Sequence, residues 1–233
     1  MAVEASVALA VAALVVAERP GGGKMKADTF FSEAEKEKIA EAVRQVELKT
    51  SGEVAVMVVD ESDSYPEGQL LAGIFLGGSA ALALTELFWG DSLWIFLALF
   101  VAFALLCGWL SSYLPDVKRF FTPGARLEEQ VKDRALTAFY EKGLYKTRDE
   151  SGVLFFISLF EHKVWVLADK GIYAGISQKT LQEYAESVAL GIKSGRASEL
   201  LCREILHVGE ILATHFPVKP DDKNELADQV IIG

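Results

Sequence analysis

The chain has 233 residues with 33 Asp and Glu against 23 Lys and Arg, a formal net charge of −10. That balance excludes a nucleic-acid partner, which is held through an excess of positive charge over the phosphate backbone. Only two cysteines occur, Cys107 in an apolar stretch and Cys202 on a helical pattern; they offer no disulfide framework and fit a reducing compartment.

Residues 1–27 read as an N-terminal extension. A secretory signal should open on basic residues, whereas here Glu4 precedes the apolar run 7–17. Gly21-Gly22-Gly23-Lys24 lacks the earlier glycine and the Ser or Thr of a phosphate-binding loop. Placed directly before Met25, it matches codons that can spell a ribosome-binding sequence, so the expected translation start is Met25. The alternative is a weak N-terminal membrane or surface helix.

Residues 28–64 form the first part of an α/β domain. Ser32 is the expected N-cap of a helix, with Glu35 completing a capping box and Phe30-Phe31 before it. Ile39, Val43 and Val46 then share one face, and Gly52 marks the exit. Residues 54–59 (VAVMVV) are apolar throughout, the pattern of a strand covered on both faces. Asp60, Glu61 and Asp63 read as a linker.

Residues 65–114 read as a transmembrane helical hairpin. Two apolar stretches, 70–88 and 94–110, approach the roughly 20 residues that cross a bilayer of about 30 Å. Gly73, Gly77, Ala81 and Thr85 form a small-residue stripe along the first, for close approach of the second. Trp89 and Trp94 mark one membrane interface, and Tyr65, Trp109 and Tyr113 the other. The tip has Asp91 and no Lys or Arg, whereas Lys118, Arg119 and Arg126 follow the second helix, which predicts a cytoplasmic base. This implies a multi-pass protein of a bacterial inner membrane, with the soluble parts and both termini in the cytoplasm.

Residues 115–216 are the second part of the domain. An amphipathic helix over 126–142 carries Leu127, Val131, Ala135, Leu136 and Phe139 inward, and Gly143 stops it. Two apolar runs joined by Glu161-His162-Lys163 predict an antiparallel strand pair. Helices follow over 178–193 and 197–216, and 217–233 is an extended C-terminal tail. The first strand, a helical crossover and the second strand predict a parallel pair, with the hairpin inserted in the crossover.

Thr50-Ser51-Gly52-Glu53, Ser151-Gly152-Val153-Leu154 and Ala168-Asp169-Lys170-Gly171-Ile172 resemble the TPM domain. They are most similar to its bacterial uncharacterised membrane protein branch, in which a membrane hairpin splits the domain. His215-Phe216-Pro217, Pro220-Asp221 and Asn224-Glu225-Leu226 resemble the ending of that branch. The resemblance spans about Phe30 to Val230 and implies an α/β/α sandwich with a small mixed sheet. For the wider family it implies links to divalent-metal binding, weak acid phosphatase activity, photosystem repair and receptor modulation, and so no single function. One departure weakens a transferred calcium site: Asp149-Glu150-Ser151-Gly152 replaces an Asp-Asn-Gly-like turn.

The topology gathers Glu53, Asp149, Glu150 and Asp169 at one sheet edge. Ca²⁺ or Mg²⁺ takes such oxygen donors, although solvated carboxylates paired with Arg148 or Lys170 make an equally simple reading. His162, His207 and His215 have no partners at zinc-ligand spacing, and no serine has a nearby His and Asp in sequence. The expected function is therefore a non-enzymatic, membrane-anchored interaction or accessory module with a protein partner at the membrane. The alternative is a metal-dependent phosphatase built on Glu53, Asp149 and Asp169.

Overall fold

Ser32 begins the first long helix as expected. Its hydroxyl accepts the Glu35 amide at 3.4 Å while the Glu35 carboxylate takes the Ser32 amide at 2.9 Å, so two orphan donors are satisfied reciprocally. The computed structural model describes residues 8–12, 26–90, 92–147, 149–218 and 229–233. Met25, Asp91, Arg148, Pro220, Asp221, Asn224, Glu225 and Leu226 lie outside them. The chain order is β1 (Ala8–Ala12), α1 (Ala27–Phe30), α2 (Glu33–Glu47), β2 (Val54–Val59), α3 (Pro66–Ala72), α4 (Gly78–Phe88), α5 (Leu93–Ser111), α6 (Pro115–Phe120), α7 (Gly124–Glu141), β3 (Val153–Ser158), β4 (Lys163–Ala168), α8 (Gln178–Lys193), α9 (Ala197–His215) and β5 (Ile231–Ile232). A π-helical turn, Gly73–Gly77, joins α3 to α4.

The chain divides into two units. The first comprises Met1–Ser62 and Gln130–Gly233, the second Asp63–Glu129. The first is a mixed sheet of order β1-β4-β3-β2-β5. β2 and β3 run parallel in the register Val54 to Val153, while β3 and β4 form the antiparallel pair, Val153 opposite Ala168.

Both faces of this sheet are covered, which is why its strands are apolar without alternation. Val56, Val58, Phe155, Ile157, Val164 and Val166 face one core with Ile39, Val43, Leu181, Val188, Leu201 and Ile205 of α2, α8 and α9. Met57, Val59, Phe156 and Trp165 face the other, closed by Val131, Ala135 and Phe139 of α7. The result is the α/β/α sandwich expected from the sequence. Burying a Phe or Val side chain in this way contributes roughly 1.5–3 kcal/mol each.

Two details differ from the sequence reading. Ala8–Ala12, read as an extension or a surface helix, pairs antiparallel with β4. Within the tail, Ile231–Ile232 adds a parallel edge strand beside Met57–Val58. In the turn after β3, Glu161 is 1% exposed: its carboxylate accepts the Ser158 hydroxyl and, at 2.8 Å, the Ser62 amide. A buried carboxylate is tolerable when donors surround it in this way.

Candidate functional site

Unit two consists of apolar helices with little to cover them. Pro66–Phe88 runs as one 23-residue helix and Leu93–Ser111 as a 19-residue one, both long and apolar enough to cross a membrane. None of the apolar window of α5 is buried, against 28% for the first helix. In water such a surface is unstable, so these helices point to a membrane association.

The small-residue stripe lies between the two helices. Gly73, Gly77, Ala81 and Thr85 are all buried. A Cβ on Gly77 would lie 2.5 Å from the Ala104 nitrogen, and one on Gly73 would strike the Ala104 carbonyl and crowd Gly108. The π-helical turn falls on these two glycines. Trp89 and Trp94 are exposed on either side of the tip, while Trp109 and Tyr113 are exposed at the other end of α5, their rings 5.0 Å apart. Tyr65 does not join them: it is wholly buried, with the Lys118 ammonium 5.5 Å from its ring centroid, and so it cannot serve as an interfacial aromatic. Arg126 pairs with Glu67 at 3.2 Å and Asp63 at 3.4 Å, so Asp63 is more than a linker residue.

In unit one, the strand register brings Glu53, Asp149, Glu150 and Asp169 to one sheet edge. The Glu53 amide bonds the Ser151 carbonyl at 3.3 Å, and the Asp169 amide bonds the Gly152 carbonyl at 2.9 Å. Gly171 lets the two loops meet, since a Cβ there would lie 2.6 Å from the Asp149 carbonyl. The side chains, however, serve separate partners. Asp149 accepts the Ser51 hydroxyl at 3.0 Å and Glu150 pairs with Lys170 at 2.6 Å.

Glu53 and Asp169 are the two buried carboxylates at this edge, Glu53 at 6% exposed; the Asp169 contacts are the better defined. Asp169 is 8% exposed; Oδ1 accepts the Lys170 amide at 2.7 Å, but Oδ2 is buried without a hydrogen bond. Burial, aided by the nearby Glu150 charge, pushes this carboxyl above its ordinary range, although the Lys170 amide opposes the shift. Among the described residues no three His, Cys, Asp or Glu side chains converge closely enough to hold a metal ion.

A second polar cluster lies between α8 and α9, where sequence spacing gave no signal. Glu204, 4% exposed, accepts the Ser187 hydroxyl at 2.6 Å on Oε1, the Arg203 guanidinium on the same oxygen, and lies 3.0 Å from His207 Nδ1 through Oε2. Burial pushes Glu204 up, but the bonds from Ser187, Arg203 and His207 outweigh it and hold the carboxyl below its ordinary range. The order is wrong for a nucleophile, because the histidine must bond the serine; here the carboxylate separates them. On α9, burial pushes the Cys202 thiol up, away from the thiolate form that reacts.

No family model and no curated protein matches the chain. Among solved structures, the chain is similar to the NMR structure of the BA42 protein from the psychrophilic bacterium Bizionia argentinensis, with a TM-score of 0.53 and 20% identity. The likeness covers 88% of this chain and 96% of that one. At that identity it concerns the fold alone.

Proposed function

We propose that this chain is a TPM-like, membrane-anchored interaction or accessory module: a two-helix hairpin holds it in a bacterial inner membrane, and its α/β unit meets a protein partner on the cytoplasmic face. One observation carries the reading. α5 is 19 residues long and none of its apolar window is buried, so its outward side calls for lipid or another apolar surface to cover it. The absence of Lys and Arg from the short tip and the presence of Lys118, Arg119 and Arg126 after α5 support a cytoplasmic base.

The non-enzymatic part of the reading rests on how the polar groups are spent. The Glu204 cluster ties two helices together, and Asp149 and Glu150 are held by Ser51 and Lys170. Crosslinking in native membranes followed by purification should recover one partner in stoichiometric yield. Recovery of the chain alone, repeated across crosslinker lengths, contradicts the interaction role.

The phosphatase reading has in its favour the two buried carboxylates of the sheet edge, Glu53 and Asp169, and the buried, unbonded Oδ2 of Asp169. It requires phosphate release from an aryl phosphate by the full-length protein that disappears on chelation and in Asp169→Asn. Release that survives both removes it.

A further inference from the structure

We propose that α6 is a membrane-interface foot, with a phospholipid surface covering the side that carries Phe120. The inference rests on reading α3 to α5 as a transmembrane hairpin and adds a third point of contact with the same leaflet.

The polarity of α6 is inverted. Lys118 is 5% exposed, its ammonium over the Tyr65 ring, while Phe120 is 83% exposed and Leu114, just before the helix, is also exposed. A helix facing water would bury the phenylalanine and release the lysine. The outer side of α6 is thus built for something other than water.

That side continues the surface of the first apolar helix. The Phe120 ring lies 5.2 Å from Phe121, and Phe121 stacks at 6.0 Å on Phe75, itself 59% exposed. The three rings form a path from the flank of the hairpin to α6. At the other helix, Trp109 and Tyr113 bring a second exposed aromatic pair to the start of the same connection.

The height of α6 is fixed by Gly68, in the first turn of α3, which lies against the Thr122 hydroxyl and the Lys118 carbonyl. From Gly68 to Phe75 is about 10 Å along a helix at 1.5 Å per residue. The phenylalanines therefore lie at the shallow end of the apolar segment, the depth at which aromatic side chains partition. A protein partner fits less well. A stable interface takes about 800 Å² from each side, and α6 offers little exposed apolar surface beyond Phe120.

Spin labels on the full-length protein test this. In a Cys107→Ala, Cys202→Ala background, Phe120→Cys, Leu82→Cys and Leu48→Cys are labelled singly and reconstituted in phosphatidylcholine/phosphatidylglycerol vesicles. The ratio of oxygen to water-soluble nickel-chelate collisions at 120 should be several-fold above that at 48, and below that at 82. A label at 120 as wet as the one at 48, with 82 still in lipid, overturns the foot and leaves the anchor standing. Water access at 82 as well overturns the anchor itself. Spin–spin broadening at 120 that fades on dilution with unlabelled protein assigns this side to a second copy and overturns the lipid assignment.

Discussion

Gly77 and Ala104 meet backbone to backbone, with room for no more than a hydrogen on Gly77: a Cβ there would lie 2.5 Å from the Ala104 nitrogen. In lipid, where no hydrophobic force drives helices together, such close packing is what holds a hairpin. Gly77→Val should lower the thermal midpoint of the detergent-purified protein by several degrees. Gly78→Ala is the control, because its Cβ would meet only the edge of the Phe100 ring, at 3.1 Å. Equal losses at both positions would mean that the stripe does not hold the helices.

Glu150 occupies the left-handed region at φ 53°. That conformation costs an ordinary residue on the order of 1 kcal/mol, and asparagine tolerates it better. The ion pair with Lys170 is solvent-exposed and contributes little in return. Glu150→Asn should therefore stabilise the chain by about 0.5–1 kcal/mol, measured by chemical denaturation in detergent. A loss of that size would show that the Lys170 pair outweighs the backbone strain.

Asp169 has a raised carboxyl pKa, so ionisation opposes folding. The penalty is absent below the ordinary carboxylate pKa, sets in as pH rises and is complete above the raised folded value. Asp169→Asn keeps an acceptor for the Lys170 amide and should raise the thermal midpoint at neutral pH, with the gain vanishing in acid. A cation held by Asp169 would give the opposite pattern: Ca²⁺ or Mg²⁺ would raise the midpoint of the natural chain and not of Asp169→Asn.

Glu204 runs the other way. Its folded pKa is lowered, so its contribution is present above the ordinary carboxylate pKa and is lost as pH falls through the lowered folded value. Glu204→Gln turns an amide toward Arg203 or His207 and removes charge-assisted bonds; the cost at neutral pH should be about 1–3 kcal/mol. Denaturation curves of the two proteins should converge in acid. Ser187→Ala, which removes one donor, should cost less.

The elements that form the core were legible because their residues repeat with the periods of helix and strand. Val54–Val59 and Val153–Ser158 are apolar on both faces because helices cover both, and α7 to α9 carry apolar residues at helical spacing. The edge strands were not legible: ALAVA suits a helix as well as a strand, and Ile231–Ile232 is too short to show a period. Tyr65 misled as an interfacial aromatic because composition carries no information on which way a ring turns. The Glu204 cluster joins residues 17 apart on separate helices, and nothing in the spacing of the polar turn marks Glu161 as buried. The strand order did place the four edge carboxylates together. Which of them had already found partners was beyond its reach.

The proposed anchor requires lipid around the two apolar helices. Membranes from cells producing the full-length chain, washed in alkaline carbonate and sedimented, put it to the most direct test. The protein should stay with the pellet and leave it only in detergent; its appearance in the carbonate supernatant would contradict the proposed membrane anchor and the cytoplasmic role built on it.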